Sequence, residues 1–160
     1  MNKRFGILGG LLLATVMLAG MASHAWAQDE GYIDYRQAVM KGNGDHLGAI
    51  GAILKYKLPY GKDVAAHAMS INALAKMIPV AFKEKTGDVK TDAKPEIWNE
   101  WSKFEQKAKD METASAKLAD VAAGGDMAAI GDAVKKLGGT CKGCHDDFRK
   151  PKEQSYKNMK

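Results

Sequence analysis

Both cysteines of the chain lie in one five-residue run near its C-terminus, Cys141-Lys142-Gly143-Cys144-His145. On a helix, cysteines three apart share a face, so two sulfurs can reach two vinyl groups of one porphyrin. His145 follows one turn after Cys141, where a neutral imidazole nitrogen can meet an iron. C-x-x-C-H is the attachment pattern of a c-type haem. A C-x-x-C pair also serves as a redox dithiol or as half of a zinc site. The chain has no second C-x-x-C for a zinc ribbon. Nor does it show the βαβ pattern that a thioredoxin-like oxidoreductase needs. One covalent haem c is therefore the expected cofactor, with Cys141 and Cys144 as thioether anchors and His145 as proximal iron ligand.

Four amphipathic segments must position this motif. The first runs from about Tyr32 to Leu58. Ile33, Met40, Leu47 and Leu54 recur every seven residues, with Arg36, Asn43 and Ile50 interleaved, as on the packed stripe of a helix. Pro59 ends it. Gly42 and Gly44 weaken its middle by about 1 kcal/mol each relative to alanine. They mark either a local break or the close approach of something large.

The second segment spans Asp63 to Phe82, with Asp63 expected as N-cap and Pro79 expected to kink or end the last turn. A charged, turn-prone loop follows from Lys83 to Lys94. The third opens at Pro95 and carries Ile97, Trp101, Phe104, Ala108, Met111, Ser115, Leu118 and Ala122 inward until Gly124-Gly125 stops it. Trp98, Trp101 and Phe104 are expected to pack the core and its rim.

The fourth segment starts from Asp126 as N-cap. It runs a single seam through Ile130, Val134, Leu137, Cys141, Cys144 and Phe148. The cysteines thus lie on a core stripe. No stretch alternates with period two, so the expected fold is all-α, an antiparallel four-helix bundle holding its cofactor between facing helices.

Residues 1–27 read as a cleaved secretory signal peptide. Lys3 and Arg4 precede an apolar stretch from Ile7 to Met17, and Ala25-Trp26-Ala27 is a small-x-small cleavage pattern. The stretch is short for a membrane span and interrupted by Gly9, Gly10 and Gly20, so no stable anchor is expected. Export suits the motif, because bacterial c-type haem attachment takes place outside the cytoplasm. Residues 28–160 then form one domain in the periplasm.

That mature part carries 22 basic and 19 acidic residues, a net charge of +3, too small to suggest a nucleic-acid partner. From Lys135 to Lys160 eight basic residues face only Asp146, Asp147 and Glu153, a net +5, leaving −2 for the rest. The motif-bearing end is the basic end. The partners this suggests are redox proteins with an acidic docking surface.

A C-terminal CKGCH followed by Asp146-Asp147-Phe148-Arg149, on the last of four helices, resembles the class II c-type cytochromes, the cytochromes c′ and their low-spin relatives. Tyr35-Arg36-Gln37-Ala38-Val39-Met40-Lys41 is similar to that family's first-helix motif. So are Pro59-Tyr60 after the first helix and Pro95-Glu96-Ile97-Trp98 at the third. The resemblance covers essentially the whole mature chain and implies haem held near one end of the bundle, in a monomer or homodimer.

It also places the distal residue at Met40, four after Arg36. In low-spin members a methionine there ligates iron. In cytochromes c′ the position is left open, and some bind nitric oxide or carbon monoxide. The run Met40-Lys41-Gly42-Asn43-Gly44 through Leu47-Gly48-Ala49 is more similar to the low-spin group. The expectation is therefore a monohaem carrier of single electrons, not an enzyme, with iron held by His145 and Met40. The alternative is a five-coordinate gas-binding protein. The resemblance puts Arg149 near the proximal side. Arg36, a charge on a core stripe, needs a partner, and a haem propionate is the expected one. His46 and His67 are expected at the surface or behind the ligands.

Overall fold

In the computed structural model, residues 8–87 and 90–158 are described, and for 8–27 the backbone alone. The helices are α1 (Leu8–Lys55), α2 (Asp63–Phe82), α3 (Glu96–Asn99), α4 (Trp101–Ala123) and α5 (Met127–Phe148). Two 3-10 turns, Lys152–Gln154 and Tyr156–Asn158, follow. No strand occurs among the described residues, and α1, α2, α4 and α5 make a four-helix bundle. The expected leader, residues 1–27, falls partly outside the described residues. From Leu8 onward it continues α1, which therefore starts earlier than the expected Tyr32.

The apolar stripes pack as their spacing requires. Val64, Ala68, Ile71, Ala75, Ile78 and Phe82 of α2 are all buried, as are Phe104, Ala108, Met111, Ser115, Leu118 and Ala122 of α4. The same stripe makes α2 apolar and long enough to cross a membrane by composition, but here it faces the bundle core. Phe104 joins the helices through ring contacts with Phe82 at 5.2 Å, Trp101 at 5.6 Å and Phe148 at 5.4 Å, the last edge-on.

Several helix ends obey local rules. At the end of α1 the Leu58 N–H donates to Ile53 O at 3.0 Å and the Lys57 N–H to Leu54 O at 3.3 Å. This is the paired-bond stop that usually places glycine at the left-handed position; here Lys57 takes it, at φ 51°. Gly125, at φ 75°, turns the chain after α4. Asp126 caps α5 as expected, its Oδ1 accepting from the amides of Ala128 and Ala129.

The structure decides between the two readings of Gly42 and Gly44 and corrects two other local expectations. Gly42 and Gly44 do not break α1, because helix–helix packing outweighs their propensity cost. A Cβ on Gly42 would stand 3.0 Å from Leu74 Cδ1, so what approaches there is α2. Asp63 is the first residue of α2 and not its cap; it sits where a carboxylate favours the helix dipole, behind Lys62. The segment from Pro95 is split, because Glu100 leaves the helical region at φ −120°, ψ 45°, separating α3 from α4. Pro79 is accommodated inside α2, which continues to Phe82.

The extensive helix pairings are α1 with α2, α2 with α4 and α4 with α5. A closed ring would also pair α1 with α5, and these two make no comparable contact. The gap between them positions the site.

Candidate haem site

A cavity of about 680 Å³ fills that gap, within the usual range of roughly 300–1,000 Å³ for small-molecule sites. From α5 it is lined by Leu137, Cys141, Cys144, His145 and Phe148, and from α1 by Ile33, Met40, Asn43, Gly44 and Leu47. Ile71, Ile78 and Phe82 of α2, with Phe104 and Met111 of α4, add apolar walls. Spacing alone brings the motif residues to one face; the bundle brings Met40 to the same space from a hundred residues away.

The residues suit a covalently held porphyrin. The walls are mainly apolar, two thiols and an imidazole stand on one of them, and a Cβ at Gly44 would meet nothing within 4 Å. Asn43 is also buried there; its amide nitrogen donates to Val39 O, while its Oδ1 has no hydrogen-bond partner among the described residues.

Electrostatics separate the possible cysteine chemistries. Burial pushes the Cys144 thiol up to about 11, against an opposing pull from Lys107. Burial raises Cys141 as well, with a hydrogen bond from Thr140 opposing. Both therefore sit as neutral thiols at neutral pH. A redox dithiol needs an accessible thiolate, whereas a thioether carries no charge and suits burial. Among the described residues no group of three or more His, Cys, Asp and Glu side chains could hold a metal ion. His145 still reaches solvent, but partial burial of its ring lowers its pKa, Arg149 lowers it further, and Asp146 opposes. The imidazole is thus neutral, the form that ligates iron.

The end of α5 is held by several cross-links. Lys94 Nζ donates to the carbonyls of Asp146 and Asp147 at 3.0 and 3.1 Å, satisfying the last turn of the helix. Asp147 receives Lys103 and Lys107 of α4 at 3.3 and 3.5 Å. Lys103, by hydrogen bonding, and then the neighbouring lysine charges hold its carboxyl below the ordinary value.

Arg36 and Arg149 both line the cavity, but they differ in their partners. Arg149 is exposed and pairs with Asp92 at 3.5 Å. Arg36 is 3% exposed. Its Nε donates to Ala81 O and its Nη1 to Thr86 Oγ1, both at 2.8 Å, and its Nη2 donates to Glu84 O. Its guanidinium lies 5.3 Å from the ring centroids of both Phe82 and Trp98. Trp98 Nε1 in turn donates to Phe82 O at 2.8 Å. Through two carbonyls and one hydroxyl of the protein Arg36 clamps the end of α2 to α1 and α3, while it also lines the cavity.

His46 and His67 stand outside the cavity lining and bond to each other across α1 and α2, Nδ1 to Nδ1 at 3.0 Å.

The loop before α3 contributes residues that sequence reasoning missed. Thr91, Asp92 and Ala93 line the cavity, and Thr91 and Ala93 are buried, although the segment reads as a charged surface loop. Tyr156 and Lys157, after α5, line it too. Ala93 and Arg149 form an antiparallel bridge, a pairing between distant segments that no local pattern announces.

Comparison with known proteins follows the same outline. Residues 31–149 match the family model described as Cytochrome C′. The chain is 43% identical over 124 residues to cytochrome c′ of Pararhodospirillum photometricum, covering 77% of this chain and 99% of that one. It is 38% identical over 129 residues to cytochrome c-556 of Agrobacterium tumefaciens, covering 78% and 99%. Among solved structures, the nitric oxide complex of a cytochrome c prime variant from Alcaligenes xylosoxidans matches with TM-score 0.70 and 30% identity, covering 78% and 97%. Cytochrome c′ from Rubrivivax gelatinosus matches with TM-score 0.64 and 33% identity, covering 74% and 94%. With the C-x-x-C-H motif on the wall of a cavity between the first and last helices of this bundle, the chain belongs to the cytochrome c′ family, whose members hold one covalent haem c.

Proposed function

We propose that the protein is an exported monohaem cytochrome whose iron takes a diatomic ligand, such as nitric oxide, on the Met40 side of the cavity. Cys141 and Cys144 are the thioether anchors and His145 the proximal ligand. When bound, the haem supplies a one-electron redox change and an iron open to small ligands. The protein's part is to hold His145 neutral, to keep water from the cavity with the α2 and α4 walls, and to bound the distal space with Met40, Gly44 and Leu47. The observation that carries this reading is the cavity between α1 and α5, in a chain similar to cytochromes solved as nitric oxide complexes. Residues 1–27 are removed on export to the periplasm.

A second reading is favoured by Met40 itself, which lines the same cavity as His145. With methionine as the other axial ligand the protein would carry single electrons at a raised potential. Its partner would be acidic where it docks on the basic end of the chain, and electron transfer would slow as salt screens the attraction. Met40 also packs against the hydrophobic core, which is what a flexible methionine does without any iron. Absorption spectra of ferric and ferrous protein, with and without carbon monoxide, separate the readings. A high-spin ferric spectrum with ready carbon monoxide binding supports the first. A low-spin spectrum indifferent to carbon monoxide replaces it with the second.

A further inference from the structure

The family match ends at residue 149, yet the chain continues and folds back onto the cavity. This segment is anchored at Asp92, in the loop before α3. Asp92 O accepts from the Lys150 amide at 2.7 Å. Its Oδ2 accepts from Ser155 Oγ and its Oδ1 from the Tyr156 amide, both at 3.0 Å. The same carboxylate pairs with Arg149, one turn after His145. Ser155 is buried, and the segment closes on itself, with Asn158 Nδ2 donating to Lys152 O and the Lys157 amide to Ser155 Oγ. Three hydrogen bonds from this segment to one residue are more than a frayed segment makes. What they deliver is Tyr156, half-buried, onto the lining of the cavity that His145 and Arg149 also line.

We propose that residues 150–158 are a strap, that Asp92 is its anchor, and that Tyr156 is a positioning residue of the haem site, placed by the strap on the cavity lining that Arg149 shares. This rests on the haem-binding reading above. The strap acts in two ways. It replaces water with an aromatic ring at the cavity edge, and it fixes Arg149 through the carboxylate that both share. Solvent access and the local dielectric are levers on the reduction potential of a haem. The ferric centre bears one more positive charge than the ferrous one, and water stabilises charge better than an apolar wall. Opening the strap should therefore lower the potential.

The test uses the purified holoprotein and four variants: Tyr156→Ala, Tyr156→Phe, Ser155→Ala and Asp92→Ala. Covalent haem on a denaturing gel and the helical circular dichroism signal control for assembly and folding. The potential is expected to fall in Tyr156→Ala, to fall less in Ser155→Ala and in Asp92→Ala, where the lost carboxylate charge acts in the opposite direction, and to stay at the wild-type value in Tyr156→Phe, which keeps the ring. Should Asp92→Ala fail to fold, Ser155→Ala and a chain ending at Lys150 carry the same test. Potentials equal to wild type in Tyr156→Ala and in the shortened chain would overturn the proposal. A wild-type protein without covalent haem would overturn the haem reading instead.

Discussion

The α5 wall of the cavity and the α1 wall are held in different ways. The α5 wall is cross-linked by polar groups from two other segments, α4 and the loop before α3. Lys94 caps its last turn, Lys103 and Lys107 reach Asp147, and Asp92 holds Arg149. The α1 wall beside Met40 is bounded by Gly44 and Leu47, and the ion pair beside them, Lys41 with Asp45, stays within α1. Polar anchors stand on neighbouring residues of α1: Arg36 binds the end of α2, Gln37 donates to Lys90 O, and His46 bonds His67. Directional bonds specify a geometry, while apolar packing specifies only volume and tolerates adjustment. The wall carrying the C-x-x-C-H motif is the specified one, and the wall carrying Met40 is the adaptable one.

Removing the attachment altogether should have the largest effect. Cys141→Ala with Cys144→Ala should abolish covalent haem and leave a poorly folded chain, since the gap between α1 and α5 would lose what fills it. Haem staining of a denaturing gel and the intact mass report this, and covalent haem in the double variant would contradict the assignment.

Arg36→Ala attacks the buried anchor of the α1 side. It strips three hydrogen bonds and two aromatic contacts from a buried site, and should cost about 3 kcal/mol in urea unfolding of the holoprotein. A loss near zero would mean that the clamp adds nothing to the packing around it.

Met40→Ala probes the adaptable wall. A half-buried methionine lost from a partly yielding site should cost about 1–2 kcal/mol. Under the proposed function the ferric spectrum keeps its spin state and carbon monoxide binds faster. A change from low to high spin in this variant would instead identify Met40 as a ligand.

The smallest effect is expected from Asp147→Asn, which removes one exposed link between α4 and α5. The folded-state pKa of Asp147 is depressed. Its contribution is therefore fully present above the ordinary carboxylate pKa of about 3.9 and is lost as pH falls through the depressed value. The difference in melting temperature between wild type and Asp147→Asn should be constant near neutrality and close on acidification. A difference that persists in acid would have to come from something other than the ionised carboxylate.

Helical periodicity and local chemistry were legible residue by residue. The stripes of α2, α4 and α5 are buried as spaced, and Asp126 caps α5, because a 3.6-residue repeat and a side-chain cap depend only on near neighbours. The haem motif was legible for the same reason, since its three reactive groups lie within five residues. Where local signals competed with packing they left two readings open: Gly42 and Gly44 allowed a break or a close approach, and at Gly42 it is α2 that approaches. The burial of Arg36 could be read from its stripe, but its partners could not. Ala81, Glu84 and Thr86 lie at least 45 residues away, at an end of α2 that only folding brings near.

The amino-acid sequence by itself determined which residues can bind haem and which helix faces turn inward, because both follow from spacing along one chain segment. Only the tertiary structure decided that α1 and α5 stand apart and leave a cavity, that the loop at Thr91–Ala93 becomes one wall of it, and that Asp92 draws the last residues back over its edge. Those outcomes depend on how four helices share a finite volume and on bonds between segments some sixty residues apart, and no local pattern encodes either.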